Sequence, residues 1–227
     1  MLVNQRVLNI LIQSFWPILS AGFIYTIPLT LISFAIGLVI AVTVALVRIS
    51  GLKVLKKIAE FYVWIVRGTP LLVQIFIIFY GLPNAGIILD PLPAAVIAFS
   101  LNVGAYSSET VRAAILSIPK GQWEAGYSLG MDYFQVLRRV VIPQAARVSV
   151  PPLFNSFIGL VKDTSLAANI TVTEMFMVTQ RAAATTYEPL ALYCEVAFIY
   201  LIFCTVLSRV QKAAEQKLSA GQSGVAK

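Results

Sequence analysis

The chain has 227 residues, of which 59% are hydrophobic and only 12% are charged, and its mean hydropathy is +0.84. Soluble domains use about 25% charged residues, so this composition excludes an ordinary water-soluble globular protein. A formal charge of +7 does not indicate nucleic-acid binding, because the cations lie between apolar runs instead of clustering on one polar face. The absence of histidine excludes histidine-based metal centres and histidine general bases.

Five apolar stretches, separated by charged or Pro/Gly-rich breaks, predict five transmembrane helices near 19–47, 60–80, 93–111, 149–169 and 189–208. Not one charged residue occurs between Val7 and Val47, a run longer than the roughly 20 residues that one crossing requires. The sequence therefore predicts an all-α integral membrane domain.

The predicted domain spans 19–210, between a lead-in segment at 1–18 and a cytoplasmic tail at 211–227. Within the lead-in, residues 4–17 predict an interfacial helix, because Trp16 suits the headgroup level and Pro17 suits the first turn of a following helix. A sixth span there is the alternative, and it requires a very tight turn near Tyr25–Pro28. The start of the chain does not resemble a cleavable signal, since the apolar stretch after Arg6 is too long, so we expect a mature N-terminus.

The cations predict the orientation. Thirteen of the seventeen lie in three alternate connecting segments, whereas the opposite segments carry only Arg6 and Arg181. The positive-inside rule then places the N-terminus outside and the C-terminus in the cytoplasm. The thirteen are Arg48, Lys53, Lys56, Lys57, Arg112, Lys120, Arg138, Arg139, Arg147, Arg209, Lys212, Lys217 and Lys227.

The segment between the third and fourth spans, about 113–146, is unusually long for a membrane-protein loop. Its pattern predicts two short helices joined at Gly130, a residue that tolerates the positive φ of a helix C-terminus. Asp132 is expected to cap the second helix and Pro143 to end it. From the residues alone, an ordinary cytoplasmic loop remains the alternative.

This segment resembles the EAA signature of type I ABC importer permeases, in which Glu-Ala-Ala, three residues, Gly, nine residues and Ile-x-Leu-Pro form the helix that docks on the ATPase. The matching residues are Glu124, Ala125, Gly126, Gly130 and, after nine residues, Val140-Val141-Ile142-Pro143. Gly126 stands where the signature has its second Ala, and Val140 and Ile142 replace Ile and Leu. The resemblance implies that Glu124, Ala125, Gly126, Gly130 and Pro143 couple the chain to an ATPase.

The resemblance covers about 20–210. Within that family, the chain is similar to the polar amino-acid branch through the strings Arg67–Leu72, Lys120–Ala125 and Lys162–Leu166. Tyr80–Pro83, Leu89–Pro91 and Pro151–Phe157 look most like L-cystine permeases, although near relatives carry glutamine, histidine or arginine. The implied function is therefore that of a permease subunit importing a polar amino acid, with L-cystine expected. A secondary transporter is the alternative.

The implied partners are a dimer of ATP-binding subunits, an extracytoplasmic amino-acid-binding protein, a second permease subunit and membrane lipid, in a bacterial plasma membrane. No Gly-x-x-x-x-Gly-Lys-Ser/Thr phosphate loop occurs, so ATP hydrolysis is expected in a partner chain. The chain itself is not expected to be an enzyme. It is expected to need neither a cofactor nor a metal, and to bind no nucleic acid.

Polar residues inside predicted spans are candidates for the substrate pathway, because burying them in lipid is costly. At 100° per residue, Asn155, Ser156, Gly159, Lys162 and Asp163 fall within an arc of about 120° on span four. The alternative is a polar seam between helices. Lys162 and Asp163 are adjacent and poorly placed to pair with each other.

Two residues of span two, Arg67 and Gln74, share one helical face and complete the predicted pathway. Arg67 is ambiguous, because its long side chain can also snorkel to the cytoplasmic edge. Small residues of span three, Ser100, Gly104, Ser107 and Ser108, predict a helix-packing seam. Glu109 and Arg112 are spaced for a structural ion pair.

Overall fold

The computed structural model describes the backbone of residues 2–223 and the side chains of residues 5–216. Every regular element in that range is helical, as the sequence predicts. The α-helices are α1 (Leu2–Ala21), α2 (Ile27–Ile49), α3 (Lys53–Gly68), α4 (Leu71–Phe76), α5 (Pro91–Leu116), α6 (Lys120–Ser128), α7 (Tyr133–Val136), α8 (Ile142–Asp163), α9 (Met175–Thr186) and α10 (Pro189–Ser223).

The first helical run passes without reversal from α1 through a π-helical turn at Gly22–Thr26 into α2. The expectation of a separate interfacial helix ending at Trp16-Pro17 is therefore wrong, because Pro17 lies inside α1. The run Gln5–Ile49 is 45 residues long. At about 1.5 Å per residue it exceeds the roughly 30 Å hydrocarbon core of a bilayer, so one end must project beyond it.

The predicted span at 60–80 is not one helix. α3 ends at Gly68, and the run from Leu71 to Ala85 leaves it at an angle of 107°. Thr69 is extended, with φ −123° and ψ 147°, because the ring of Pro70 disfavours a helical conformation for the preceding residue. Pro70 has no N–H to donate either, so the helix must restart at Leu71.

Three π-helical turns occur among the described residues, and each one is followed by a proline two residues beyond its end. The turns are Gly22–Thr26, Ile77–Gly81 and Leu137–Val141, and the prolines are Pro28, Pro83 and Pro143. In each case the residue before the proline donates its N–H to a carbonyl five residues back, for example Ile142 to Leu137. Proline has no N–H to donate, and the wider turn allows the helix to continue without that hydrogen bond.

This arrangement corrects the expectation that Pro143 ends the second loop helix. Helical structure runs from α7 through the π turn into α8, with Pro143 at the start of α8. α8 then tightens into a 3-10 helix, Thr164–Ile170. The predicted span at 149–169 is thus the outer part of a longer helical run that begins in the loop.

The centre of the fold is the pairing of α2 with α5, which has the most extensive helix–helix contact of the structure. The two backbones approach closely at two glycines. A Cβ at Gly37 would lie 2.7 Å from Val103, and one at Gly104 would lie 2.6 Å from Ile40. The small-residue stripe of span three therefore faces α2 at Gly104. α8 packs against α5, and an apolar core around Phe99 joins α2, α4, α5 and α8.

α1, α9 and α10 form a second packing unit around Ile18, Met175 and Ile199. Two carboxylates in this unit each accept hydrogen bonds from neighbouring groups. Glu174 is fully buried and caps α9 by accepting from the Met177 N–H at 2.7 Å, and its other oxygen accepts from the Tyr200 hydroxyl at 2.8 Å. Glu195 accepts from the Ser14 hydroxyl at 2.6 Å, which ties α10 to α1. Each pairing reduces the cost of a polar group among apolar helices.

Length and composition alone identify two described helices able to cross a membrane, Gln5–Ile49 and Pro189–Gln216, and a third if the bent pair Lys53–Gly68 and Leu71–Ala85 counts as one. The third and fourth predicted spans correspond to α5 and α8, which contain more polar residues. The predicted count of five is therefore approximate. Cys194 and Cys204 are both free, as their spacing predicts.

Candidate functional site

A cavity of about 380 Å³ lies beside the break between α3 and α4, against α5 and α8. Its polar lining comes from all three parts of the chain, and its apolar lining comes from leucines, a valine and a proline. The polar and small lining residues are Thr69, Asn102, Tyr106, Ser107, Ser156, Gly159 and Asp163. Two residues predicted for the pathway, Ser156 and Asp163, thus lie at the same cavity.

The side chain of Gln74 bridges the break between α3 and α4 through hydrogen bonds. Its amide nitrogen donates to the Val66 carbonyl at 2.7 Å and to the hydroxyl of Thr69 at 2.9 Å. Its amide oxygen accepts from Asn102 of α5 at 3.1 Å. The Gln74 side chain therefore replaces hydrogen bonds that the helix loses at Pro70, and it ties the cavity wall to α5. Gln74 itself is not in the cavity lining.

Two groups in the cavity have hydrogen-bonding capacity left over. Ser107 is buried, and its hydroxyl has no hydrogen-bond partner among the described residues. The Asp163 carboxylate forms no ion pair or side-chain hydrogen bond within that same part of the chain. Ser156 donates to the Pro152 carbonyl at 3.1 Å, which leaves the lone pairs of its oxygen available. A polar ligand would satisfy all three groups.

Lys162 and Asn155 lie on the other side of α8. Lys162 lines a separate, mostly apolar cavity of about 550 Å³ with Tyr193, Tyr200 and Cys204 of α10. Asn155 accepts a hydrogen bond from Gln211 of α10 at 3.1 Å. The structure therefore divides the predicted polar arc: Ser156, Gly159 and Asp163 face α5, whereas Asn155 and Lys162 face α10.

Arg67 contributes to an ion-pair network at the ends of α2 and α3. Glu109 of α5 contacts Arg48 at 2.6 Å, Arg112 at 3.0 Å and Arg67 at 3.6 Å. The Arg67 guanidinium also lies 5.3 Å from the centre of the Tyr106 ring. The predicted pair between Glu109 and Arg112 is thus present, but it belongs to a larger network joining three helices.

The loop carrying the signature residues is a rigid corner. α6 ends in a Schellman motif, in which Met131 donates to the Gly126 carbonyl and Gly130 donates to that of Tyr127. Gly130 has φ +76°, the conformation predicted for it. Asp132 caps α7 through a reciprocal capping box with Gln135.

The packing around Gly126 explains why this chain has glycine where the signature has its second alanine. It is buried, and a Cβ built on it would lie 2.7 Å from Val136 of α7. Since real Cβ atoms essentially never come so close to another side chain, an alanine would force α6 and α7 apart. Glu124 and Ala125 are exposed on the same short helix.

The corner is anchored to the helix ends and exposes an apolar tip. Val136, Leu137 and Val141 pack with Ala45 of α2 and Ile115 of α5 in one buried cluster. Large apolar residues remain exposed at the tip, among them Leu129 at 77% and Phe134 at 66%. The corner is therefore packed on α2 and α5, and its tip is an exposed apolar surface.

Four polar residues of the cavity lining, Thr69, Asn102, Tyr106 and Ser107, were not assigned to the pathway from the sequence. Ser107 was expected in the packing seam, and Thr69, Asn102 and Tyr106 were not proposed as pathway residues. The polar Asn102 in an otherwise apolar run was a usable signal. The orientation of Ser107 was not, because neighbouring serines on one helix differ only by how the helices pack.

A polar cavity among apolar helices, together with a corner that is packed on them and exposes an apolar tip, fits the architecture of a membrane permease subunit. Residues 34–220 match the family model of the "Binding-protein-dependent transport system inner membrane component". The chain belongs to this family, the permeases of ABC importers.

Several relatives resemble the chain over most of its length. It is 56% identical to the L-cystine transport system permease protein TcyB of Bacillus subtilis (strain 168) over 91% of this chain and 88% of that protein. It is 36% identical to the glutamine transport system permease protein GlnP of Escherichia coli (strain K12) over 89% and 93%. A crystal structure of an amino acid ABC transporter with histidines superimposes with a TM-score of 0.85 and 32% identity, over 91% of this chain and 96% of that one.

Proposed function

We propose that this permease subunit imports L-cystine, and that the cavity between α4, α5 and α8 is part of its pathway. The observation that carries the proposal is the set of unsatisfied polar groups in that cavity, Ser107 and Asp163 above all. The volume of about 380 Å³ falls within the roughly 300–1,000 Å³ of small-molecule sites. The 56% identity to TcyB supports cystine as the substrate.

The cavity chemistry suits a zwitterionic amino acid. Asp163 can accept hydrogen bonds from an ammonium group, and the hydroxyls of Ser107 and Ser156 can donate to a carboxylate. The apolar wall, which includes Leu160 and Leu166, suits the uncharged middle of the molecule. The other predicted pathway residues Lys162, Asn155 and Arg67 lie outside this cavity, so the proposal gives them no contact with the substrate there.

The corner formed by α6 and α7 docks on an ATP-binding subunit in this proposal. Glu124, Ala125, Gly126 and Gly130 belong to that lever, and Pro143 sets the π turn that joins it to α8. Two ATP-binding subunits, an extracytoplasmic amino-acid-binding protein and a second permease subunit complete the importer. The N-terminus lies outside and the corner lies in the cytoplasm, in agreement with the distribution of cations.

The cavity is tested with Ser107→Ala in the importer reconstituted in proteoliposomes. Removing a hydroxyl that donates to the substrate should lower cystine uptake about fivefold, the effect of one hydrogen bond of roughly 1 kcal/mol. Uptake of labelled cystine, glutamine and arginine is measured with saturating binding protein. Asp163→Asn should lower uptake of all three, since each carries an ammonium group.

Ser108→Ala is the matched control. Ser108 neighbours Ser107 on α5 and is equally buried, but its hydroxyl already donates to the Ala105 carbonyl at 2.7 Å. It is not in the cavity lining. If Ser107→Ala and Ser108→Ala transported alike, the cavity would not be the pathway. If glutamine or arginine were preferred with every binding protein supplied, cystine would be the wrong substrate.

A further inference from the structure

We propose that α3 is an interfacial helix that binds anionic phospholipid headgroups of the inner leaflet through Lys53, Lys56 and Lys57. The inner-leaflet assignment rests on the orientation proposed above. The starting observation is the angle of 107° between α3 and the run Leu71–Ala85, which packs along α5.

The contacts between α3 and α5 come from the C-terminal half of α3. The Tyr62 hydroxyl donates to the Leu101 carbonyl at 2.6 Å, and Arg67 reaches Glu109 at 3.6 Å. Val63 and Val66 pack with Ala105, between those two points. The C-terminal part of α3 therefore lies against one short segment of α5, level with Arg48 near the end of α2. Because the run Leu71–Ala85 packs along α5 and is inclined by 107° to α3, α3 is steeply inclined to that span and lies near the membrane plane.

The sequence of α3 divides its circumference into three faces. The buried residues Ala59, Val63 and Val66 occupy an arc of about 60° at 3.6 residues per turn. Four large apolar residues occupy a second arc of about 60° and are exposed, Val54, Ile58, Phe61 and Ile65. The charged residues occupy a third arc of about 100°, Lys53, Lys56, Lys57, Glu60 and Arg67.

This order fits a lipid–water boundary. Trp64, which is 71% exposed, lies on the charged arc and stacks on Phe61 at 5.9 Å between ring centres. Tryptophan favours the headgroup level, and basic residues beside an apolar face are typical of helices bound to anionic membranes. A protein partner covering the apolar face would not require a border of three lysines. The exposed apolar arc thus enters the acyl region while the lysines meet phosphate groups.

Quenching of Trp64 tests the proposal without any need for transport. A chain with Trp16→Phe and Trp123→Phe keeps Trp64 as its only tryptophan and is placed in nanodiscs. The discs contain equal fractions of phosphatidylcholine and phosphatidylglycerol, with one of the two brominated on its acyl chains. Each lysine near an anionic surface favours the anionic lipid roughly fivefold, so brominated phosphatidylglycerol should quench Trp64 several times more effectively.

Charge variants and a second tryptophan provide the controls. Lys53→Gln, Lys56→Gln and Lys57→Gln combined should remove the headgroup preference, and the three Lys→Arg changes should retain it. Trp16, 69% exposed on α1 with only Arg6 nearby in sequence, should show no preference when it is the sole tryptophan. Equal quenching of Trp64 by both lipids would overturn the proposal. Absence of quenching by either would mean that protein, such as a second copy, covers α3. A transport failure alone would leave this result unaffected.

Discussion

At the scale of single residues, the contact between Gly126 and Val136 sets how closely α6 approaches α7. Gly126→Ala should destabilise the fold by about 1–3 kcal/mol, because the added methyl meets Val136 at 2.7 Å. Val136→Ala should also destabilise, through a cavity. The double variant should be more stable than the sum of the two changes predicts, since the smaller residue makes room for the methyl. Thermal unfolding in detergent measures all three, and strict additivity would contradict the contact.

Glu109 is the only acid within 4 Å of Arg48, Arg67 and Arg112 among the described residues. Glu109→Gln leaves three cations without their anion and should destabilise the fold by about 1–3 kcal/mol, a range that allows for partial solvent screening. Glu60→Gln is the control, because Glu60 pairs only with Lys56 at 3.9 Å on the exposed side of α3. Equal melting temperatures for the two variants would show that the network has no structural weight.

Local chemistry could be predicted at this scale, but orientation could not. The positive φ of Gly130 and the cap at Asp132 follow from residue type and spacing, and both are present. The split between Lys162 and Asp163 depends on which helices pack against each side of α8. A helical-wheel arc of about 120° is too coarse to resolve that difference.

At the scale of elements, the proline after each π turn affects which carbonyl accepts each backbone N–H in that turn. Pro143→Ala restores an N–H that can donate to the Arg139 carbonyl, so Leu137–Val141 should rewind as α-helix. The corner would then rotate by about 100° relative to α8. Spin labels on Leu129→Cys and Arg147→Cys, in a chain with both native cysteines replaced, should change their separation on the order of 5 Å.

Pro152→Ala is the control for this rotation. Pro152 also lies within α8, but the backbone around it is plain α-helix, so the label separation should stay the same. An unchanged separation in Pro143→Ala would show that packing, not the proline, fixes the π turn.

The helical elements themselves followed from apolar length, whereas their breaks did not. A hydropathy window averages over Thr69 and Pro70, so the span at 60–80 looked continuous although the X-Pro signal for a break was present. The reverse happened at Pro17 and Pro143, where a proline suggested a helix end and the helix continues. Neighbouring helices decide which prolines break a run and which are accommodated.

At the scale of the whole molecule, orientation is the property most open to direct measurement. In a chain with Cys194→Ala and Cys204→Ala, Ile88→Cys should react with an impermeant maleimide added outside intact cells. Ile88 is 84% exposed between the run ending at Ala85 and α5. Lys120→Cys, at the start of α6, should react only after the membrane is permeabilised, because the cation-rich segments stay inside. The opposite pattern would reverse the orientation and remove the docking role of the corner.

The break at Pro70 also affects how the protein prevents ions from leaking across the membrane. The run from Leu71 to Ala85 has fifteen residues and spans only about 22 Å, against roughly 30 Å for a hydrocarbon core. Thr69 and Pro70, where this short run starts, are also in the cavity lining. This run alone is too short to line the full hydrocarbon thickness beside the cavity, so we expect the apolar cluster around Ile75 and Phe99 to contribute to the seal against ion flow. If the cavity is part of the pathway, we therefore expect substrate passage to require rearrangement of this apolar layer.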